Sequence, residues 1–142
     1  MITTEERRKI GKRNKINGAI FERNVRKDLE AKGWIVDRWT NNLELPIITD
    51  EIIVEGMCSF AKTNRFNMRT TGFPDFIAMK PIGANPELYF IKFIECKTNG
   101  KLDKIEKEKA RWYLDNNYCS KFLIAYKEMI DGKVVVNYKE FK

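Results

Sequence analysis

A glutamate and a lysine at the end of an apolar run are the strongest chemical signal in the chain. Glu95 and Lys97 are two residues apart, and residues 88–97 have the composition of a β-strand. Successive side chains of a strand point to opposite faces, so Glu95 and Lys97 project from one face and Cys96 from the other. The sequence therefore predicts a carboxylate and an ammonium side by side on one surface of a sheet.

A second carboxylate is expected directly opposite Glu95. Residues 81–87 are dense in turn-formers and separate two strand-like runs, 76–80 and 88–97, which predicts a β-hairpin. If the hairpin is centred on Asn85, residue 75 is the partner of residue 95. Cross-strand partners have Cβ atoms about 4.5 to 5.5 Å apart, so Asp75 and Glu95 would be able to share one divalent ion.

The strand that carries Glu95 is largely apolar on both faces, which predicts a position inside the sheet. A charge at Glu95 then costs several kcal/mol unless it is paired or bound to a metal. Two interpretations fit this pattern. Either Asp75 and Glu95 form a metal site beside Lys97, or Glu95 and Lys97 form a simple ion pair at the solvated end of the strand.

The composition excludes several other kinds of active site. The chain has no histidine, and its three cysteines are widely spaced without a Cys-x-x-Cys pair. A zinc site or a disulfide framework is therefore not expected. Nucleophilic pairs of the Ser-His and Cys-His types are excluded as well. Carboxylates and lysines are left to carry any chemistry.

Helices and strands that would position these residues are visible in the spacing of the apolar residues. Phe21, Val25 and Leu29 predict a helix over 17–32 that stops at Gly33, preceded by a basic lead-in or short helix over 1–16. A second helix is predicted at 102–116. Further strands are predicted at 34–39, 122–126 and 134–138, and the last two should form a hairpin through Asp131-Gly132.

The element order is then α-β-β-β-α-β-β, which indicates an α/β (α+β) domain with one sheet flanked by helices. A length of 142 residues is typical of a single domain. Segment 40–72 is the least regular part. It reads as an insertion or long loop that contains one short strand at 52–54.

One charged residue lies on the apolar face of each predicted helix. Glu22 lies between Phe21 and Val25 in angular position, so it either serves the acidic site or extends past the core into solvent. Lys109 shares a face with Ile105 and the aromatic pair at 112–113. Its ammonium either serves the site or is solvated above a buried stem.

The charge balance favours a polyanionic partner. Lys plus Arg number 27 against 20 Asp plus Glu, which gives a net charge of +7 and a pI near 9.3. Nucleic acid is the expected partner, and a generally basic surface that aids solubility is the alternative. The residues expected to contact phosphates are Lys12, Arg13, Lys15, Lys62, Arg65, Arg69, Lys101 and Lys109. The chain shows no apolar run that would span a membrane and no signal-peptide core, so an intracellular location is expected, cytoplasmic or nucleoid, or the host cytoplasm for a viral protein.

Two sequence motifs resemble those of a known nuclease superfamily. Residues 72–77, Gly-Phe-Pro-Asp-Phe-Ile, followed by Ile-Glu-Cys-Lys at 94–97, are similar to the PD-(D/E)XK signature. Upstream, residues 18–23 and 33–36 resemble the first helix and strand of archaeal Holliday-junction resolvases. Lys109 stands where many relatives have the glutamine of a Gln-x-x-x-Tyr motif. The resemblance covers roughly residues 16–126.

The resemblance implies a restriction-endonuclease-like αβββαβ core, here with an extra C-terminal strand. It implies that Asp75, Glu95 and the Cys96 backbone carbonyl hold Mg²⁺ or Mn²⁺, that Glu22 assists, and that Lys97 orients the attacking water. The implied activity is endonucleolytic cleavage of branched DNA by a homodimer. Two alternatives stay open: another DNA substrate, such as a flap, a single strand or a restriction or repair site, or a nucleic-acid-binding module without catalysis.

Overall fold

The computed structural model describes residues 1–60 and 72–142. These residues form an α+β structure with two helices, α1 (Thr4–Ala31) and α2 (Lys104–Asp115). The strands along the chain are β1 (Ile35–Arg38), β2 (Asn41–Glu44), β3 (Ile47–Ile48), β4 (Ile53–Val54), β5 (Met57–Phe60), β6 (Phe76–Pro81), β7 (Tyr89–Cys96), β8 (Lys121–Ile130) and β9 (Lys133–Glu140).

Helix α1 is longer than the sequence pattern predicts. It starts in a capping box, in which the Thr3 hydroxyl accepts from the Glu6 N–H and the Glu6 carboxylate accepts from the Thr3 N–H at 2.7 Å. The basic stretch over 1–16, predicted as a lead-in or short helix, is helical from residue 4 and continues into the expected helix as one element. Gly33, at φ +89°, follows the helix end as predicted.

A mixed sheet of five strands, in the order β1-β6-β7-β8-β9, forms the centre of the structure. Neighbouring strands are antiparallel except β7 and β8, which run parallel because α2 carries the chain back across the sheet. The five strands predicted outside segment 40–72 are all present in this sheet, and β7 lies inside it as expected. The β8–β9 hairpin turns at Asp131 and Gly132, with φ of 52° and 75°, as the Asp-Gly pair predicts.

Segment 40–72 is not a plain loop. Its described part contains two small antiparallel pairs, β2 with β5 and β3 with β4. The strand expected at 52–54 corresponds to β4, whereas the other three were not predicted. Their two to four residues are too short to show a period in the sequence. Leu43 of β2 is buried, so this segment contributes to the core.

Each face of the main sheet is covered by one helix. On one face, Phe21 of α1 packs with Ile94 and Ala125. On the other, Tyr113 of α2 packs with Phe93. The adjacent residues Phe93 and Ile94 thus point into different cores, as strand alternation requires.

Helix α2 matches the predicted extent, but its expected apolar face is partly wrong. Ile105 is 60% exposed, whereas Ala110 and Tyr113 are buried. At 100° per residue, Ile105 lies about 140° from Ala110 around the helix and so points away from the sheet. No helix among the described residues is both long and apolar enough to cross a membrane.

Candidate active site

Asp75 and Glu95 lie next to each other at one end of the β6–β7 hairpin. Phe76 pairs with Ile94, so the register places residue 75, just before β6, opposite residue 95, and the predicted hairpin centre is confirmed. The Asp75 N–H donates to Glu95 Oε2 at 3.1 Å, and the Cys96 N–H donates to Asp75 Oδ2 at 2.8 Å. Each carboxylate is therefore fixed by the main chain of the other strand.

The chain leading into Asp75 is anchored on both sides. The Tyr113 hydroxyl donates to the Phe73 carbonyl at 2.8 Å, and the Trp39 N–H donates to the Asp75 carbonyl at 3.1 Å. A Cβ atom at Gly72 would lie 2.3 Å from the Trp39 carbonyl oxygen, so glycine is required there by the close approach of two backbones. These contacts hold Asp75 against β7.

The carboxylate pair is shielded from water without a full counter-charge. Glu95 is buried, with 7% of its surface exposed, and Asp75 is half-buried. Burial, followed by the charge of Asp75, raises the pKa of Glu95 to about 9. Burial is also the main cause that raises the pKa of Asp75, and the nearby Glu22 adds to it. The site therefore favours a bound cation or a proton.

Lys97 projects beside Glu95 but makes its shorter contact elsewhere. Its Nζ is 2.7 Å from Glu106 Oε2 and 3.7 Å from Glu95 Oε1. Burial lowers the pKa of Lys97, but the bond to Glu106 and the charges of Glu95 and Glu106 outweigh it and raise the pKa, so the ammonium stays charged. The simple ion-pair interpretation is thus incomplete, because the closer partner of Lys97 is Glu106.

Glu106 was not recognised in the sequence analysis, although a signal was present. Asp103 and Glu106 are spaced as a capping box, and the structure shows both of its hydrogen bonds, at 3.1 and 2.8 Å. One Glu106 oxygen caps α2 while the other contacts Lys97. The start of α2 is thereby tied to the end of β7.

Glu22 of α1 lines a cleft of about 630 Å³ together with Cys96 and Lys97, the two residues that follow Glu95. The cleft is lined by Asn14, Asn17, Gly18, Phe21, Glu22, Cys96, Lys97, Thr98, Asn99 and Lys127. Arg38 of β1 contacts Glu22 at 3.0 Å, and the Glu22 side chain is 26% exposed. The Glu22 carboxylate is therefore neither unpaired in the core nor fully solvated. The partner Arg38 was missed because it is distant in sequence.

The oxygen ligands of Asp75 and Glu95 fit a hard divalent cation such as Mg²⁺ or Mn²⁺, which would also compensate their buried charge. Among residues 1–60 and 72–142, no three His, Cys, Asp or Glu side chains lie close enough to hold an ion together. Further ligands would come from water, main-chain or phosphate oxygens, which is usual for Mg²⁺. Burial raises the pKa of the Cys96 thiol, so any ligand role of Cys96 falls to its carbonyl.

The basic residues expected to contact phosphates are not gathered in one place. Lys12, Arg13 and Lys15 are exposed on α1, and Lys101 is exposed before α2. Lys109 donates to Asn42 Oδ1 at 3.0 Å and so connects α2 to β2. The other three, Lys62, Arg65 and Arg69, lie outside the described residues.

Comparisons with family models, with curated proteins and with solved structures gave no match. The function must therefore be argued from the geometry of the site.

Proposed function

We propose that this chain is a metal-dependent endodeoxyribonuclease of the PD-(D/E)XK type, which hydrolyses phosphodiester bonds of DNA. The observation that carries the proposal is the Asp75–Glu95 pair at the end of the β6–β7 hairpin, with charged Lys97 beside Glu95 and lining an open cleft. Burial raises the pKa of both acids, and the charge of Asp75 raises the pKa of Glu95 further, so strongly perturbed groups of this kind indicate a functional site.

The strand arrangement supports the same proposal. Helix α1 precedes three antiparallel strands, β1, β6 and β7, and α2 then leads to β8, which is parallel to β7. This element order is the one expected of a restriction-endonuclease-like αβββαβ core, in which β9 would be the extra C-terminal strand. In this arrangement the acids lie on the middle hairpin of the sheet.

Each residue of the site has a role in the proposed reaction. Asp75, Glu95 and the Cys96 carbonyl would hold Mg²⁺ or Mn²⁺, which supplies positive charge to the phosphate and lowers the pKa of the attacking water. Lys97 stays protonated, so it stabilises negative charge that develops on the phosphate and does not act as a base. Glu22, which lines the cleft together with Lys97, would orient water. The products would carry 5′-phosphate and 3′-hydroxyl ends.

Branched DNA cut by a homodimer is the substrate proposal. It follows from the similarity of residues 18–23 and 33–36 to junction resolvases and from the net charge of +7. Because a four-way junction offers two strands to cut, a two-fold symmetric pair of active sites suits it.

Cleavage assays on matched variants test the nuclease proposal. Asp75→Asn and Glu95→Gln should each abolish cleavage of a labelled junction in Mg²⁺, and EDTA should abolish cleavage by the parent. Glu87→Gln is the control, because Glu87 is an exposed acid in the turn between β6 and β7 and its loss should leave the rate unchanged. Near-parental cleavage by either site variant would show that the acids do not form the active site. Tight DNA binding without any cleavage would support the non-catalytic alternative.

A further inference from the structure

Residues 4–17 of α1 extend beyond the body of the structure. The buried residues of α1, Phe21, Val25 and Leu29, all lie in its second half, and residues 1–17 are exposed throughout. At 1.5 Å per residue this extension is about 21 Å long. An isolated helix of such length is only marginally stable in water, so contact with a partner would stabilise it.

The extension begins at the active-site cleft. Asn14, Asn17 and Gly18 line the cleft together with Glu22 and Lys97. A molecule that fills the cleft and continues past its α1 side must therefore pass along the extension. A Cβ atom at Gly11 or at Gly18 would meet nothing within 4 Å, so this part of the helix surface is open.

Cations lie on the cleft side of the extension and at its edge. Counted from Glu22 at 100° per residue, the α1 residues that line the cleft lie between about −140° and 0° around the helix. Arg7 lies within this range at about −60°, and Lys15 and Arg8 lie just beyond Glu22 at about +20° and +40°. In the described part of the chain these three cations make no ion pair or hydrogen bond. Their positive charge is therefore uncompensated on the side where the cleft opens.

We infer that residues 4–17 of α1 lie along the DNA on one side of the cut phosphate, with Arg7, Arg8 and Lys15 against its backbone. This inference rests on the proposed function and adds the path of the substrate to it. Charge complementarity selects the phosphate backbone as the occupant. At 3.4 Å per base pair along one strand, the extension covers about six base pairs.

A second copy of the chain fits this helix less well. The stripe of Lys9, Arg13, Ile16 and Ile20 has the alternating three- and four-residue spacing of a coiled-coil seam. Two of its four positions carry like charges, which would be buried together in such a seam. DNA is therefore the occupant that the charges favour.

Two double variants with equal loss of charge test the inference. Arg7→Gln/Arg8→Gln removes cations from the cleft side. Arg23→Gln/Lys27→Gln is the control, since both residues are exposed on α1 at about 100° and 140° from Glu22. DNA affinity is measured over a range of salt concentrations, and thermal unfolding verifies that both variants fold.

The negative slope of log K against log salt should be about 1.8 less steep for the first double variant than for the parent, which corresponds to the loss of two phosphate contacts. Its affinity at 0.1 M salt should fall roughly 60-fold, whereas the control keeps the parental slope. Equal slopes in the two variants would overturn the inference, even if the parent cuts DNA. If only the first double variant has a reduced slope, and the parent binds DNA without cutting it, the DNA path is upheld and the nuclease reaction is refuted.

The length of the extension gives a second measurement. Once the cut is mapped, the duplex on each side is shortened in turn from about ten to about three base pairs, which is less than the roughly six that the helix covers. Shortening one side should weaken binding by the parent and have little effect on Arg7→Gln/Arg8→Gln. If both proteins respond alike on both sides, α1 does not follow the DNA.

Discussion

Replacing Glu95 by glutamine should stabilise the metal-free protein, and increasingly so as the pH rises. The pKa of Glu95 is raised from 4.5 to about 9 in the folded chain. Between these values the folded state keeps a proton that the unfolded state releases, so unfolding is favoured as pH increases. The stability that comes from the neutral carboxyl is complete below pH 4.5 and is lost as the pH rises towards 9.

The size of the effect follows from the same shift. One pKa unit corresponds to about 1.4 kcal/mol, so the parent should lose up to about 2.7 kcal/mol between pH 6 and pH 8 through Glu95. Glutamine is neutral and of similar shape, and its amide can keep the hydrogen bond with Asp75. The difference in free energy of unfolding between Glu95→Gln and the parent should therefore grow by about that amount.

Urea unfolding at several pH values in EDTA measures this difference. Glu87→Gln is again the control and should follow the parent at every pH. Added Mg²⁺ should stabilise the parent and not Glu95→Gln, because a cation replaces the proton on the carboxylate. Parallel curves of unfolding free energy against pH for the parent and Glu95→Gln would show that Glu95 is ionised in the free protein, and the electrostatic argument would be wrong.

Three further outcomes are expected. Lys97→Ala should lose most cleavage yet keep its affinity for Mn²⁺ in calorimetry, and a loss of affinity as large as that of Glu95→Ala would show that Lys97 only positions the acid. Tyr113→Phe should lower the free energy of unfolding by about 1 to 3 kcal/mol, because the Phe73 carbonyl loses its hydrogen-bond donor. Tyr118→Phe, at an exposed tyrosine, is the matched control. Equal losses of stability in the two variants would contradict the anchoring role of Tyr113. At one fixed salt concentration, a four-way junction should be bound and cut in preference to a flap, a single strand or a linear duplex, with symmetric nicks, and equal cutting of linear DNA would exclude the junction preference while leaving the nuclease proposal intact.

The local features of the fold were readable in the sequence. The helix end at Gly33 and the β8–β9 turn at Asp131-Gly132 depend on backbone conformations that few residues adopt, so the residue types predict them. The opposition of Asp75 and Glu95 follows from the centre of a single hairpin. Predicting such a cross-strand pair requires only the alternation of side chains along each strand and the position of the turn, and both are local features of the sequence.

The predicted secondary structure differs from the observed one where an element is very short or where the residues that begin a helix were not recognised. Residues 1–16 were interpreted as a basic lead-in or short helix because their charged residues are crowded together, whereas the capping box at Thr3 and Glu6 starts one continuous helix. Strands β2, β3 and β5 are too short to show a period. Ile105 matched a helical spacing, yet the face of α2 that meets the sheet runs through Ala110 and Tyr113.

The spacing of residues along the chain was enough to predict that Asp75 and Glu95 oppose each other. Their electrostatic surroundings depend on contacts between elements that are distant in sequence. Glu106 contacts Lys97 because α2 starts at the end of β7, and Arg38 contacts Glu22 because β1 lies beside α1. Such contacts join elements through the strand order of the sheet, which depends on burial of the whole core and not on the spacing of neighbouring residues.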